Sequence, residues 1–343
     1  MLAQLYNLIH KTPMPRNNKR FINQTVIEVT FRTEEGLPLP PKPYIQEILL
    51  GILAKAQQLY PVRICSIVVM SNHIHLIFVV LNPGDIYEFV GYIKRESAHA
   101  INNLLGRNQH TVWQQGYDSP CIASAEAVMN RLAYHYTNPQ RAGLVEKIED
   151  YPNINTWEAL NSGVQRIPAK RIHRYSIPEL PKFTVSLNRE EEIAQELRES
   201  SSEDLELVIE PNAWMDCFEE SKGSDPKTLN AEIVNRVRAI EKNLTANRPR
   251  GVLGAHKLKL QRIDTPHTPK KSGKKMIVID TIRARCKAYI KWFKVDQEQA
   301  RESRKRRDRC ESSVPLPPGF FLPGGALLAN IMFWCTPLAE SFG

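Results

Sequence analysis

The sequence predicts an α+β protein: a ferredoxin-like split β-α-β domain with an antiparallel sheet, then a mainly helical, basic C-terminal region. Three observations carry this prediction. Residues 24–33, QTVIEVTFRT, alternate apolar and polar, as a half-buried strand does. Two β-branched runs, VRICSIVVM (62–70) and HIHLIFVV (73–80), are separated only by Ser71 and Asn72, which is a hairpin pattern. Between and after these strands, apolar residues recur at helical spacing.

Taken in order, a Pro-rich turn, LPLPPKP, follows the first strand. Ile45, Ile48, Leu49, Leu53 and Ala56 then mark a helix over 43–59. NPGD (82–85) ends the hairpin and offers Asp85 as the N-cap of a helix of about twenty residues reaching Leu105-Gly106. PCIAS (120–124) reads as a short fourth strand. Ser124 caps a final helix that runs to Asn138 and stops before Pro139, since a residue preceding proline disfavours helical geometry. Strand, helix, strand, strand, helix, strand, helix is the ferredoxin-like order with one helix added. The expected first domain is 1–160.

The remainder differs in character. Residues 161–188 are Pro-punctuated and read as a linker; 189–343 form the C-terminal extension. It opens with an acidic stretch (189–210), followed by an amphipathic helix over 226–244. From Arg248 to Arg309 there are 20 Lys and Arg against 6 Asp and Glu, with helical character over 277–309. The tail, VPLPPGFFLPGGALLANIMFW, is apolar but interrupted by Pro and Gly, so it reads as packing on a folded domain rather than spanning a bilayer.

Composition narrows the function classes. The 343 residues suffice for one substantial core and a second folded unit. A net charge of +9 favours a polyanionic partner. No apolar run approaches the roughly 18 residues of a membrane span, and Met1–Arg20 lacks the apolar core of a signal peptide. The six cysteines include no C-x-x-C pair, which argues against a zinc knuckle or disulfide framework and fits a reducing cytosol.

The chemistry-bearing pattern is His73-Ile74-His75. Alternate residues of a strand share a face, so both imidazoles project from one rigid element while Ile74 and Leu76 point the other way. An isolated H-x-H is more often two incidental histidines, but the last helix adds partners. Val128, Leu132 and Tyr136 form its core stripe, with Met129 alongside. Tyr134 falls on another face with Asn130, Arg131 and Asn138, and Tyr134 and Asn138 lie one turn apart. His135, between the tyrosines, reads as incidental. A phenol is a poor nucleophile at neutral pH unless a metal polarises the phosphate it attacks. Asn138 offers an oxygen to complete a two-imidazole, one-amide ligand set, which suits magnesium or manganese. Arg141, Lys94 and Arg95 are candidate phosphate contacts.

MSNHIHLIF (70–78), followed about sixty residues later by Tyr134-x-x-x-Asn138-Pro139-x-Arg141-Ala142-Gly143-Leu144, resembles the REP-associated tyrosine transposases. These are HUH single-strand endonucleases close to the single-tyrosine transposases of small insertion sequences. WQQGYDSP (113–120) resembles them too. The resemblance covers about residues 20–160. It implies that His73, His75 and Asn138 bind a divalent cation. It also implies that Tyr134 attacks the scissile phosphate, leaving a 5′-phosphotyrosine and a free 3′-OH. The implied enzyme nicks and rejoins single-stranded or hairpin DNA in the bacterial cytoplasm, associated with the nucleoid. No nucleotide cofactor or membrane is implied, and the appended half favours a monomer over a homodimer. That half, with its VLGA segment (252–255) and PPGFF/LPGG-type tail, is similar to the extensions of longer bacterial members, and its charge favours holding DNA. The alternative is a non-catalytic hairpin-DNA-binding regulator with the same fold; the intact histidines, tyrosine and asparagine argue against it.

Overall fold

Ser71 and Asn72 reverse the chain so tightly that Met70 pairs directly with His73, making β2 (Val62–Met70) and β3 (His73–Val80) an antiparallel hairpin. In this computed structural model the described residues are 19–180, 187–201, 203–266, 275–309 and 314–320. β1 (Val26–Arg32) pairs antiparallel with β3, setting Thr30 opposite His75 and Arg32 opposite His73. The short β4 (Cys121–Ile122) closes on β1. The order β2-β3-β1-β4 with all neighbours antiparallel is the expected ferredoxin-like sheet.

Helices cover both faces. α1 (Pro43–Leu59) and α2 (Ile86–Leu104) match the predicted spans. Phe89 of α2 packs edge-on against Phe78, on the face shared by Ile74 and Leu76, all three strand residues being fully buried. α3 (Ala125–Arg141) covers the opposite face. Its Val128, Leu132 and Tyr136 join Val26, Val68, Met70 and Ile77 in one core. Ser124 caps it, accepting from the Ala127 amide. Contrary to expectation, α3 does not stop before Pro139 but runs to Arg141. Proline forfeits one amide, yet Ala142 N–H still reaches the Asn138 carbonyl and Leu144 N–H reaches the Pro139 carbonyl, so the last turn closes. Gly143, at φ +70°, supplies the left-handed residue that ends the helix.

The chain beyond residue 160 is mainly helical, as expected, but it also builds the sheet. After a short α4 (Ala159–Ser162), β5 (Gln165–Lys170) lies within the stretch read as a linker. It pairs antiparallel with β6 (Asp204–Ile209), which adds in parallel to β2. On the other edge β7 (Val278–Ile279) runs parallel to β4. The result is a seven-stranded, mostly antiparallel sheet among the described residues, ordered β5-β6-β2-β3-β1-β4-β7. The approach of β5 to α1 is close: a Cβ on Gly51 would sit 2.0 Å from the Lys170 carbonyl oxygen. α5 (Leu187–Glu199) follows β5, and α6 (Pro226–Asn247) packs on α3 through Ile233 and Val237. Glu241 of α6 accepts from Gln140 Nε2 at 2.7 Å and from the Ile148 amide at 3.0 Å. α7 (Ala255–Leu260) and α8 (Arg283–Asp308) complete the helices.

These elements up to Lys291 belong to one unit, Asn23–Lys291. A second unit comprises Met1–Ile22 and Trp292–Gly343. In it the Phe21 amide donates to the Gly319 carbonyl, Arg20 lies over Trp292 and pairs with Asp296, and Phe293 packs on Phe320. Most of the apolar tail, from residue 321, lies outside the described residues. No helix among the described residues is long and apolar enough to cross a membrane.

Candidate active site

The α3 face of the sheet gathers rings and charges at the end of the β2–β3 hairpin. His73 and His75 project from β3 with ring centroids 4.7 Å apart, edge to face. The Tyr134 ring stands 6.4 Å from that of His75. Asn138 lies one turn further along α3, buried, and its Nδ2 has no hydrogen-bond partner among the described residues. An amide's nitrogen and oxygen exchange places by a half-turn about its last bond, so this is an unspent polar position. Tyr136 is sent to the core, fully buried, with its hydroxyl on the Thr156 carbonyl at 3.2 Å.

The histidines are positioned through their Nδ1 atoms. His73 Nδ1 lies 2.7 Å from Asn72 Oδ1, and His75 Nδ1 lies 3.2 Å from Glu28 Oε1 and 2.9 Å from Thr30 Oγ1. A lone pair on His75 Nδ1 would face a carboxylate oxygen, so that nitrogen carries the proton. Nothing among the described residues bonds Nε2 of either ring. Burial, reinforced for His73 by the neighbouring His75 and Arg32, holds His73 well below the ordinary imidazole range; burial also lowers His75, overriding its bond to Glu28. Both rings are therefore neutral near pH 7, the form that binds metals.

Three residues of this cluster were not legible in the sequence as part of it. Glu28, on β1, is 1% exposed. Arg131 grips it with Nε on Oε2 at 2.6 Å and Nη2 on Oε1 at 2.8 Å. His135 Nε2 donates to the same Oε1 at 3.0 Å. His135 is thus no incidental residue: it is fully buried and also within 3.3 Å of Ser66 Oγ. Burial drives its pKa down to about 4 despite the Glu28 carboxylate. Burial opposes ionisation of Glu28, but hydrogen bonds from His135 and His75 and the Arg131 charge outweigh it and hold the carboxyl well below its usual range. The available signal was Glu28 itself, an acid in the strand pattern VIEVTF, on the same face as Thr30. It became readable only once α3 was known to cover that face.

Glu28, His75 and His135 also place one ligand atom each within 4.8 Å of one another, so they could hold a metal ion. The guanidinium of Arg131 already occupies both Glu28 oxygens, however, and a dication there would sit beside it. The Nε2 atoms of His73 and His75 carry no such competitor among the described residues.

Of the candidate phosphate contacts, Arg141 is exposed and lies over the Tyr134 ring, its guanidinium carbon 5.3 Å from the centroid; Arg131 lies over the same ring at 4.1 Å. Lys94 and Arg95 are elsewhere. They sit on α2, which covers the opposite face of the sheet. Lys94 Nζ donates to the Gln114 and Gly116 carbonyls at 2.9 and 2.6 Å, which holds the WQQGYDSP loop against the β1 edge. Arg95 pairs with Glu96.

The buried histidines make stability depend on pH. In the unfolded chain His135 takes a proton near pH 6.5, whereas in the folded protein it resists to about 4. Between those values the unfolded state binds more protons, so acidification destabilises the fold. The Glu28 contribution is lost in the same direction, below its unfolded value near 4.5. The melting temperature of metal-free protein is expected to fall steadily from pH 7 to pH 5, with His135 alone costing up to roughly 1.4 kcal/mol per pH unit. A flat calorimetric profile over that range would refute the assignment of buried, neutral imidazoles.

Residues 30–135 match the family model described as "Transposase IS200 like". Over 102 residues the chain is 26% identical to a protein of Haemophilus influenzae described as "Putative REP-associated tyrosine transposase". That match covers 27% of this chain and 58% of the relative, so the chain spans little more than half of the relative's length. Among solved structures, one described as a REP-associated tyrosine transposase bound to a REP hairpin is 19% identical. It covers 43% of this chain and 86% of its own, with a TM-score of 0.37. Over residues 30–135, which hold the histidine pair and Tyr134, the chain is similar to the IS200-like transposases, and the resemblance to the REP-associated tyrosine transposases carried by its motifs is borne out.

Proposed function

We propose that this protein is a metal-dependent single-strand DNA endonuclease and strand transferase that nicks and rejoins DNA beside hairpins through a covalent phosphotyrosine. The observation that carries the reading is the junction of His73, His75 and Tyr134 in one ring cluster, with the Nε2 atoms of both histidines unspent. His73 and His75 through Nε2, and Asn138 through its amide, are the residues that would hold a divalent cation, magnesium or manganese. Such a cation, when bound, polarises the scissile phosphate and offsets its charge.

The chain's own groups supply the rest. Tyr134 Oη attacks phosphorus, and the bond from phosphorus to the 3′ oxygen of the preceding nucleotide breaks. The phenol proton is lost, the departing oxygen gains one to become a 3′-OH, and the 5′ phosphate stays on the tyrosine. The phosphodiester energy is conserved, so a 3′-OH can reverse the step and reseal the strand. Arg131 and Arg141, stacked over the ring, restrict its orientation and bring positive charge beside an incoming phosphate. The net charge of +9 suits a polyanionic substrate.

Incubation with labelled hairpin oligonucleotides and Mn²⁺ is expected to give an SDS-resistant protein–DNA adduct that EDTA prevents. Retention of hairpins without adduct, across a broad panel of flanking sequences, would instead make the chain a DNA-binding regulator.

A further inference from the structure

We propose that Glu28 is the positioning residue of this site: one carboxylate fixes the His75 ring with Nε2 presented outward and, through Arg131, sets the ring of Tyr134. The inference rests on the cation site proposed above, but it assigns Glu28, Arg131 and His135 a role outside the ligand set.

The geometry leads there by counting donors. Glu28 Oε1 accepts from His75 Nδ1, His135 Nε2 and Arg131 Nη2, and Oε2 accepts from Arg131 Nε. Four N–H groups thus converge on this one buried carboxylate, three of them on Oε1 and one on Oε2. A carboxylate so engaged orients its neighbours; it has little left with which to ligate. Histidines that bind metals commonly donate their other ring N–H to a carboxylate, which fixes tautomer and orientation. Here that carboxylate comes from β1, whereas the histidine is on β3 and the arginine is on the helix that carries the tyrosine. Among the described residues Glu28 is therefore the one side chain bonded both to a candidate metal ligand and to a residue stacked on the candidate nucleophile. His135 holds the carboxylate from the third side and is itself anchored by Ser66. Removing Glu28 would leave His75 Nδ1 with the Thr30 hydroxyl, which can donate as well as accept and so does not fix the tautomer, and would leave Arg131 without its two-point partner.

The test uses the full chain without DNA, with Mn²⁺ as probe and electron paramagnetic resonance as readout. Glu28→Gln is expected to weaken Mn²⁺ binding about 10- to 100-fold. His135→Gln is expected to keep it within about fivefold of wild type, whereas His75→Gln abolishes it. Loss of binding in His135→Gln equal to that in His75→Gln would overturn the proposal, because Glu28, His75 and His135 would then be the metal cage. Wild-type affinity in Glu28→Gln would overturn it too. At saturating Mn²⁺, Glu28→Gln is expected to form adduct at least about tenfold more slowly than wild type. Full recovery there would sever the link to Tyr134. Nitrogen-15 NMR of the metal-free wild-type protein is expected to show the His75 ring protonated at Nδ1; protonation at Nε2 instead would refute the proposal. The NMR arm decides the question if Glu28→Gln fails to fold. It also separates the two readings: if wild type binds no Mn²⁺, the cation site falls while the tautomer still reports on Glu28.

Discussion

Tyr134→Phe is expected to abolish covalent capture of DNA, by on the order of 10⁴-fold or more, while leaving the fold and Mn²⁺ binding intact. The ring keeps its place under Arg131 and Arg141, and only the hydroxyl oxygen that would bond to phosphorus is lost. The informative control is Tyr136→Phe, two residues away on the same helix. Tyr136 is fully buried with its hydroxyl on Thr156, and burial pushes its pKa up to about 12. That substitution is expected to cost about 1 kcal/mol of stability and to leave adduct formation standing. Denaturing gels of both variants with a reactive hairpin separate the two assignments. An adduct that persists in Tyr134→Phe would refute the nucleophile, and one lost only in Tyr136→Phe would move the chemistry to the wrong face of the helix.

Ending the chain after residue 160 is expected to prevent cooperative folding altogether. The minimal motif-bearing segment looks self-sufficient in sequence, but its core is not. Leu207, Ile209, Trp214, Ile233 and Val237 are all fully buried and all come from beyond that point. At about 1.5–3 kcal/mol for each buried side chain, their removal forfeits on the order of 10 kcal/mol. That is comparable to the entire stability of an ordinary domain, about 5–15 kcal/mol. β2 would also lose β6, and the α3 end would lose the Glu241 bonds to Gln140 and Ile148. The check is a urea titration followed by circular dichroism and tryptophan fluorescence. A sharp transition in the 1–160 fragment, matching the full chain, would show that the later elements merely decorate a self-standing unit.

The histidine pair and the tyrosine were legible because their signals are local. Alternation along a strand puts His73 and His75 on one face whatever the rest of the chain does. The spacing of Val128, Leu132 and Tyr136 sends Tyr136 inward and leaves Tyr134 on another side of the same helix. The Ser71-Asn72 hairpin and the Ser124 cap are equally local, depending on residues within a few positions of one another. Each of these features rests on backbone geometry over one or two turns, and sequence determines that by itself.

The role of Glu28 had no local signal. An acid in an alternating strand reads as a solvated residue, and it became a buried four-donor hub only because α3 lies across that face. His135 read as incidental for the same reason, since Ser66 and Glu28 reach it from strands far away in sequence. Lys94 was set apart from the rings because α2 packs on the other side of the sheet, a choice that strand alternation leaves open. The strands β5 and β6 were hidden because edge pairing is a contact between distant segments; DLELVI of β6 does alternate, but it lies inside the stretch (189–210) read only as acidic. The sequence by itself determined the sheet's central elements and the residues proposed to present the chemistry. The tertiary structure decided what stands behind them, because burial and long-range hydrogen bonding are properties of the packed layers and not of any one segment.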